Sequence, residues 1–89
     1  MSNAEIDTTK PLPADPENMN AERTEWASAA LIEFRRISGA DHEDALGDLL
    51  CDLMHWSDRN NFDFDAALFR AQMHYQAEIT PEIAEGTEA

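Results

Sequence analysis

The sequence predicts a small all-α protein: a three-helix domain preceded by a flexible arm. Apolar residues recur at spacings of three and four along most of the chain, and no segment alternates with the period of two that marks a strand. Gly39 and the pair Asn60-Asn61 interrupt this helical pattern, as turns do. We therefore expect a single domain over residues 20–80.

The ends of the chain are predicted to lie outside that domain. Pro11, Pro13 and Pro16 fall within residues 1–19, where apolar residues show no period, which is typical of a flexible arm. Residues 81–89 are expected to form a frayed tail.

The first predicted helix runs from Asn20 to about Ser38. Asn20 is a favourable residue at a helix N-cap, and Gly39 supplies the usual C-terminal stop. One face of this helix is apolar and is expected to enter the core: Trp26, Ala27, Ala30, Leu31, Phe34 and Ile37.

The second predicted helix begins after Asp41, taken as its N-cap, and ends near Arg59. Glu43 and Asp44 then lie near the positive end of its dipole. Its predicted core stripe consists of Leu46, Leu49, Leu50, Leu53, Met54, Trp56 and Ser57.

The third predicted helix is capped by Asp63 and ends at Thr80, because a residue before proline is driven out of helical geometry. Its core stripe is expected to be Phe64, Leu68, Ala71, Tyr75 and Ile79.

Self-association is expected because a core of this size barely offsets chain entropy and the single cysteine cannot form an internal disulfide. Phe69 and Met73 lie well away from the core stripe of the third helix, and Ile32 lies off the stripe of the first. A helix with two apolar faces is typical of an interface, although isolated surface hydrophobes would give the same pattern. We predict a homo-oligomer with Ile32, Phe69 and Met73 in its interface.

Charge excludes one large class of function. The net charge is −13, and residues 41–65 hold eight acidic residues against one basic residue. Direct binding to nucleic acid requires clustered Lys and Arg, which this chain lacks. No apolar run approaches the roughly 20 residues needed to span a membrane, and no signal-peptide pattern is visible. A cytoplasmic location is expected, since a lone cysteine fits a reducing compartment.

The acids form a candidate partner-binding face around the second helix: Asp41, Glu43, Asp44, Asp48, Asp52 and Asp58. The favoured hypothesis is a non-enzymatic interaction module that presents this face to a basic protein partner, in one form by imitating a nucleic-acid backbone. Two alternatives are a merely solvated acidic face and an assembly subunit whose third helix docks a partner. No catalytic residue and no cofactor is predicted. Cys51 and His55 are four residues apart, but structural zinc usually takes four protein ligands.

A resemblance gives a second functional hypothesis. The stretches "GDLLCDLMHW" and "NNFDFDAALFRAQMHY" resemble MazG-type all-α nucleoside triphosphate pyrophosphohydrolases, in which acids on two helices hold Mg²⁺. The resemblance implies metal ligation by Glu22, Glu25 and Asp48, with Mg²⁺ as the cofactor. Ala45 stands where that family has a glutamate, and Asp44 is its nearest substitute.

Overall fold

Three helices make up the computed structural model, which describes residues 11–81. They are α1 (Asn20–Ser38), α2 (Ala45–Asn60) and α3 (Phe64–Ile79), and this part of the chain contains no strand. The predicted all-α fold class is confirmed. None of these three helices has the length and apolarity required to cross a membrane.

The predicted arm and tail fall largely outside this range, since residues 1–10 and 82–89 are not described. Residues 11–19 contain a turn instead of a helix. Asp15 in this stretch accepts hydrogen bonds from the backbone N–H groups of Met19 and Asn20, at 3.1 and 3.2 Å. Its carboxylate thereby satisfies donors at the start of α1 that have no partner within the helix.

Asn20 has a different role from the one predicted. The N-cap position of α1 is Met19, which makes no side-chain capping bond, so the prediction that Asn20 caps the helix is wrong. The Asn20 side chain instead donates to the backbone oxygen of Glu78, at 2.9 Å, and joins the start of α1 to the end of α3. The carboxylate of Asp15 therefore caps α1 in place of the Asn20 side chain.

Arg23 strengthens the same junction. Its guanidinium lies 2.8 Å from Glu17 and 3.6 Å from Glu78, so it links the segment before α1 to the end of α3. The hydrogen bond with Glu17 is the main cause of a raised pKa for Arg23, and the negative charge of Glu78 adds to it.

The connection between α1 and α2 confirms one predicted boundary and corrects another. Gly39 adopts the left-handed conformation at φ 81°, and its N–H donates to the oxygen of Arg35 at 2.8 Å. Asp41 does not cap α2: its backbone oxygen accepts from the N–H of Asp44 at 3.1 Å, which closes a turn. The helix consequently begins later, at Ala45.

The connection between α2 and α3 is short and well bonded. Asn61 ends α2 in the left-handed conformation, and the N–H of Phe62 donates to the oxygen of Ser57 at 3.0 Å. The Phe62 ring stacks on Trp56 with centroids 5.1 Å apart. This hydrogen bond and the stacked rings join the end of α2 to the residues that precede α3.

The limits of α3 are the predicted ones. Asp63 accepts a hydrogen bond from the N–H of Ala66 at 3.0 Å, which confirms it as the N-cap. Ile79 is the last helical residue, and Thr80 before Pro81 is extended. Both boundaries follow from local chemistry alone.

Burial is concentrated near the two ends of α2. Among the described residues only Ala45, at the start of α2, and Ser57, in its last turn, are buried, with 3% and 6% of their surface exposed. Residues of the predicted core stripe in mid-helix, such as Leu53 and Leu68, remain about 40% exposed. A single copy of the chain therefore leaves its apolar faces open.

Candidate functional site

The acidic side chains of α2 lie on the side away from its leucines. At 100° per residue, Asp44, Asp48, Asp52 and Asp58 fall within an arc of about 120°. The centre of the opposite, apolar arc is near Leu53. The periodicity that directs leucines to one side of α2 thus directs carboxylates to the other.

All six acids of the predicted binding face are exposed: Asp41, Glu43, Asp44, Asp48, Asp52 and Asp58. Between residues 11 and 81, none of their carboxylates takes part in a hydrogen bond or an ion pair. The three ion pairs in that range use Arg23 and Arg36 with acids of other segments. The negative charge of the face is therefore not compensated by a cation within this part of the chain.

The face is a stripe and not a pocket. From Asp44 to Asp58 the helix rises about 21 Å, which spreads four carboxylates along its whole length. Asp48 and Asp52 border a depression of about 290 Å³ that Phe34 and Ser38 of α1 complete. A stripe of this kind suits an extended partner surface better than a small molecule.

The residues of the alternative metal site lie at different places in the fold. Glu22 and Glu25 belong to the first two turns of α1, whereas Asp48 borders the same depression as Phe34 further along that helix. The helical rise puts about 18 Å between Glu22 and Phe34, and about 14 Å between Glu25 and Phe34. One copy of the chain does not bring these α1 acids to Asp48.

The described residues contain no other group of side chains arranged as a metal site. In residues 11–81, no group of three or more His, Cys, Asp or Glu side chains is placed to hold a metal ion. Cys51 and His55 are both exposed on α2.

The residues predicted for an oligomer interface are exposed in this single copy. Ile32 and Phe69 each expose 64% of their surface and Met73 exposes 57%. Their part in self-association stays a prediction.

A second exposed apolar surface was not foreseen from the sequence. Leu46, Leu50, Leu53 and Met54, assigned to the core stripe, are 40–61% exposed. We call these four residues the leucine face of α2. The sequence does contain a signal for this surface: the apolar arc of α2 is about 180° wide. A surface helix usually buries a stripe of roughly 100° or somewhat more, so part of such a wide arc is expected to stay uncovered.

Comparison of the chain with models of known protein families, with curated proteins and with solved structures finds no significant match. The resemblance to MazG-type enzymes stays a prediction from the quoted residues.

Proposed function

We propose that this chain is a non-enzymatic helical interaction module whose acidic α2 face binds a basic surface of a protein partner. The observation that carries the proposal is the row of exposed carboxylates along α2, which have no cation partner among residues 11–81. Such a face attracts a basic surface over distance, accelerates the encounter and repels acidic competitors.

The charge density of the face favours a folded basic protein over strict imitation of a nucleic acid. Four carboxylates along about 21 Å of α2 give one charge per roughly 7 Å, whereas a single DNA strand carries one phosphate per about 3.4 Å. A partner that recognises α2 therefore needs Lys and Arg side chains at helix-like separations. Nucleic-acid imitation becomes an outcome to test, by competition with an oligonucleotide for the same partner.

The decisive experiment compares two triple variants of equal charge. One replaces Asp44→Asn, Asp48→Asn and Asp52→Asn on the face, and the control replaces Glu22→Gln, Glu25→Gln and Asp65→Asn elsewhere. Each reduces the net charge from −13 to −10. They are also matched in helix-dipole effects, because each variant loses two acids at helix N-termini, Asp44 and Asp48 of α2 in one and Glu22 of α1 and Asp65 of α3 in the other.

Immobilised wild-type chain and both variants are exposed to the same cell extract, and captured proteins are quantified across a salt gradient. We expect basic partners held by the wild type and the control to be lost from the face variant. The loss of three exposed charge pairs should weaken binding by several-fold to about a hundred-fold. Equal capture by the two triple variants would show that total charge, and not this face, governs binding, and the proposal would fail.

A further inference from the structure

We infer that a second copy of this chain covers the leucine face of α2, so that two copies pair along α2 and their acidic faces point outward. Leu46, Leu50, Leu53 and Met54 are contiguous on the helix, within an arc of about 100°. Neither α1 nor α3 covers them, since the least exposed of the four, Leu53, still shows 40% of its surface. This pairing is independent of the proposed function.

The spacing of the leucines suits helix pairing. Leu46, Leu50 and Leu53 are separated by four and then three residues, which is the repeat with which two helices pack along a shared seam. Ile32 of α1 extends the apolar surface, because it borders with Leu46 a depression of about 480 Å³. The surface therefore continues from α2 onto α1.

Charge does not oppose this pairing locally, despite a net charge of −13. The positions that flank the leucine seam hold uncharged residues: Gly47, Leu49, Met54 and Trp56. The carboxylates of α2 lie roughly 90° or more around the helix from the centre of the face. Two copies can approach with their acids directed away from each other.

The exposed apolar area is comparable to the apolar area that one partner buries in a protein interface. At roughly 150 Å² for a large apolar side chain, the exposed fractions of Ile32 and the leucine face amount to about 400 Å². A standard interface removes about 800 Å² from each partner. Roughly 60% of an interface area is apolar, which is about 480 Å² for each partner, so Ile32 and the leucine face supply most of the apolar share.

A second copy fits this surface better than the other candidate occupants. Residues 1–10 and 82–89 contain only three large apolar side chains, Met1, Ile6 and Ile83, which is too few to cover the face. Helices in proteins gain most of their stability from the packing of an apolar face, and in residues 11–81 only two side chains are buried. The folded chain therefore requires a surface that covers its exposed apolar side chains, and another copy of the chain provides such a surface.

The first test measures mass. The full wild-type chain is expected to sediment with the mass of two copies, or a multiple of it. The double variant Leu50→Gln, Leu53→Gln should weaken self-association by at least about a hundred-fold, because apolar burial is lost from both copies. The matched variant Cys51→Gln, His55→Gln changes the opposite side of α2 and should leave the mass unchanged. A wild-type chain that stays monomeric up to millimolar concentration overturns the inference.

The second test does not depend on the stability of a variant. Single cysteines are introduced by Leu46→Cys, Leu50→Cys or Leu53→Cys in a Cys51→Ser background, with His55→Cys as the control. Under mild oxidation at least one face position should form a covalent dimer and the control should not, because a disulfide requires Cβ atoms about 4 Å apart. Cross-linking through Phe69→Cys alone would place the interface on α3 and overturn pairing through α2.

The response of binding to salt distinguishes this inference from the proposed function. Two copies that each carry a charge of −13 repel at long range, so added salt should strengthen self-association by screening that repulsion. Binding of a basic partner to the acidic face should weaken with salt. Self-association that weakens as salt rises contradicts pairing through an uncharged seam, whatever the partner experiment shows.

Discussion

Single residues decide where each helix begins, and two aspartates that look alike in the sequence differ in this respect. Asp63 accepts a hydrogen bond from the N–H of Ala66, whereas the Asp41 side chain makes no capping bond to α2. Asp63→Ala should therefore lower the free energy of unfolding by about 1 kcal/mol, as loss of an N-cap typically does. Asp41→Ala should change it by less than about 0.5 kcal/mol.

Urea unfolding followed by far-ultraviolet circular dichroism, at one fixed protein concentration, compares these two variants. Equal losses of stability would contradict the assignment of the caps. Both changes remove one negative charge, but only Asp63→Ala also removes a capping hydrogen bond. The difference between the two variants therefore measures the contribution of that hydrogen bond.

The same contrast shows what residue-level reasoning predicts. Gly39, Asp63 and the Thr80-Pro81 pair were predicted correctly because their effect depends only on adjacent backbone. Asn20 was assigned the wrong role because its cap comes from Asp15, five residues earlier, after a turn that has no strong pattern in the sequence. Which side chain caps a helix depends on how the preceding segment folds back.

Within α1, one ion pair predicts a pH dependence. Arg36 donates to the carboxylate of Glu33 three residues earlier, and this hydrogen bond lowers the pKa of Glu33. The folded chain therefore favours the ionised carboxylate. Its contribution to stability is present above the ordinary glutamate pKa of about 4.3, and it is lost as the pH falls through the lower folded-state value.

An NMR titration of the Glu33 carboxyl carbon tests this. The midpoint in the wild type should lie below the midpoint in an Arg36→Gln variant, and high salt should reduce the difference, since both groups are exposed. Identical midpoints at low salt would show that the pair does not persist in solution.

At the scale of an element, periodicity predicts which side of a helix is apolar but not what covers it. Leu46 and Leu53 were assigned to a core, and α2 does direct them to the side opposite its acids. The buried residues of α2, Ala45 and Ser57, lie near its ends, and the middle of its apolar side stays open. The exposure of the α2 acids is easier to predict from the sequence, because exposure to water requires no partner.

At the scale of the whole molecule, the two sides of α2 imply opposite responses to salt. An uncharged leucine face pairs more strongly when long-range repulsion is screened, whereas an acidic face binds basic partners less strongly. Pairing through one side would leave the other side free in both copies. A dimer would then present two acidic stripes, and a partner with two basic sites would gain from their combined effective concentration.

The alternative Mg²⁺-dependent function also makes its prediction at this scale. One copy keeps Glu22 about 18 Å along α1 from the residues that border Asp48, and pairing through the leucine face directs Asp48 away from the second copy. Exposed Asp44 and Asp48 alone leave Mg²⁺ largely hydrated. Millimolar Mg²⁺ should therefore leave the melting temperature unchanged when NaCl of equal ionic strength is the reference.

Thermal unfolding of the wild type and of Asp48→Asn, at one protein concentration and with both salts, measures this directly. A ligand that binds only the folded chain raises the melting temperature by mass action. A rise of several degrees in Mg²⁺ that disappears in Asp48→Asn would therefore mean that the acids do converge on a metal. That result would favour the pyrophosphohydrolase alternative over the interaction module, because the assembly would then have to bring α1 of one copy to α2 of another.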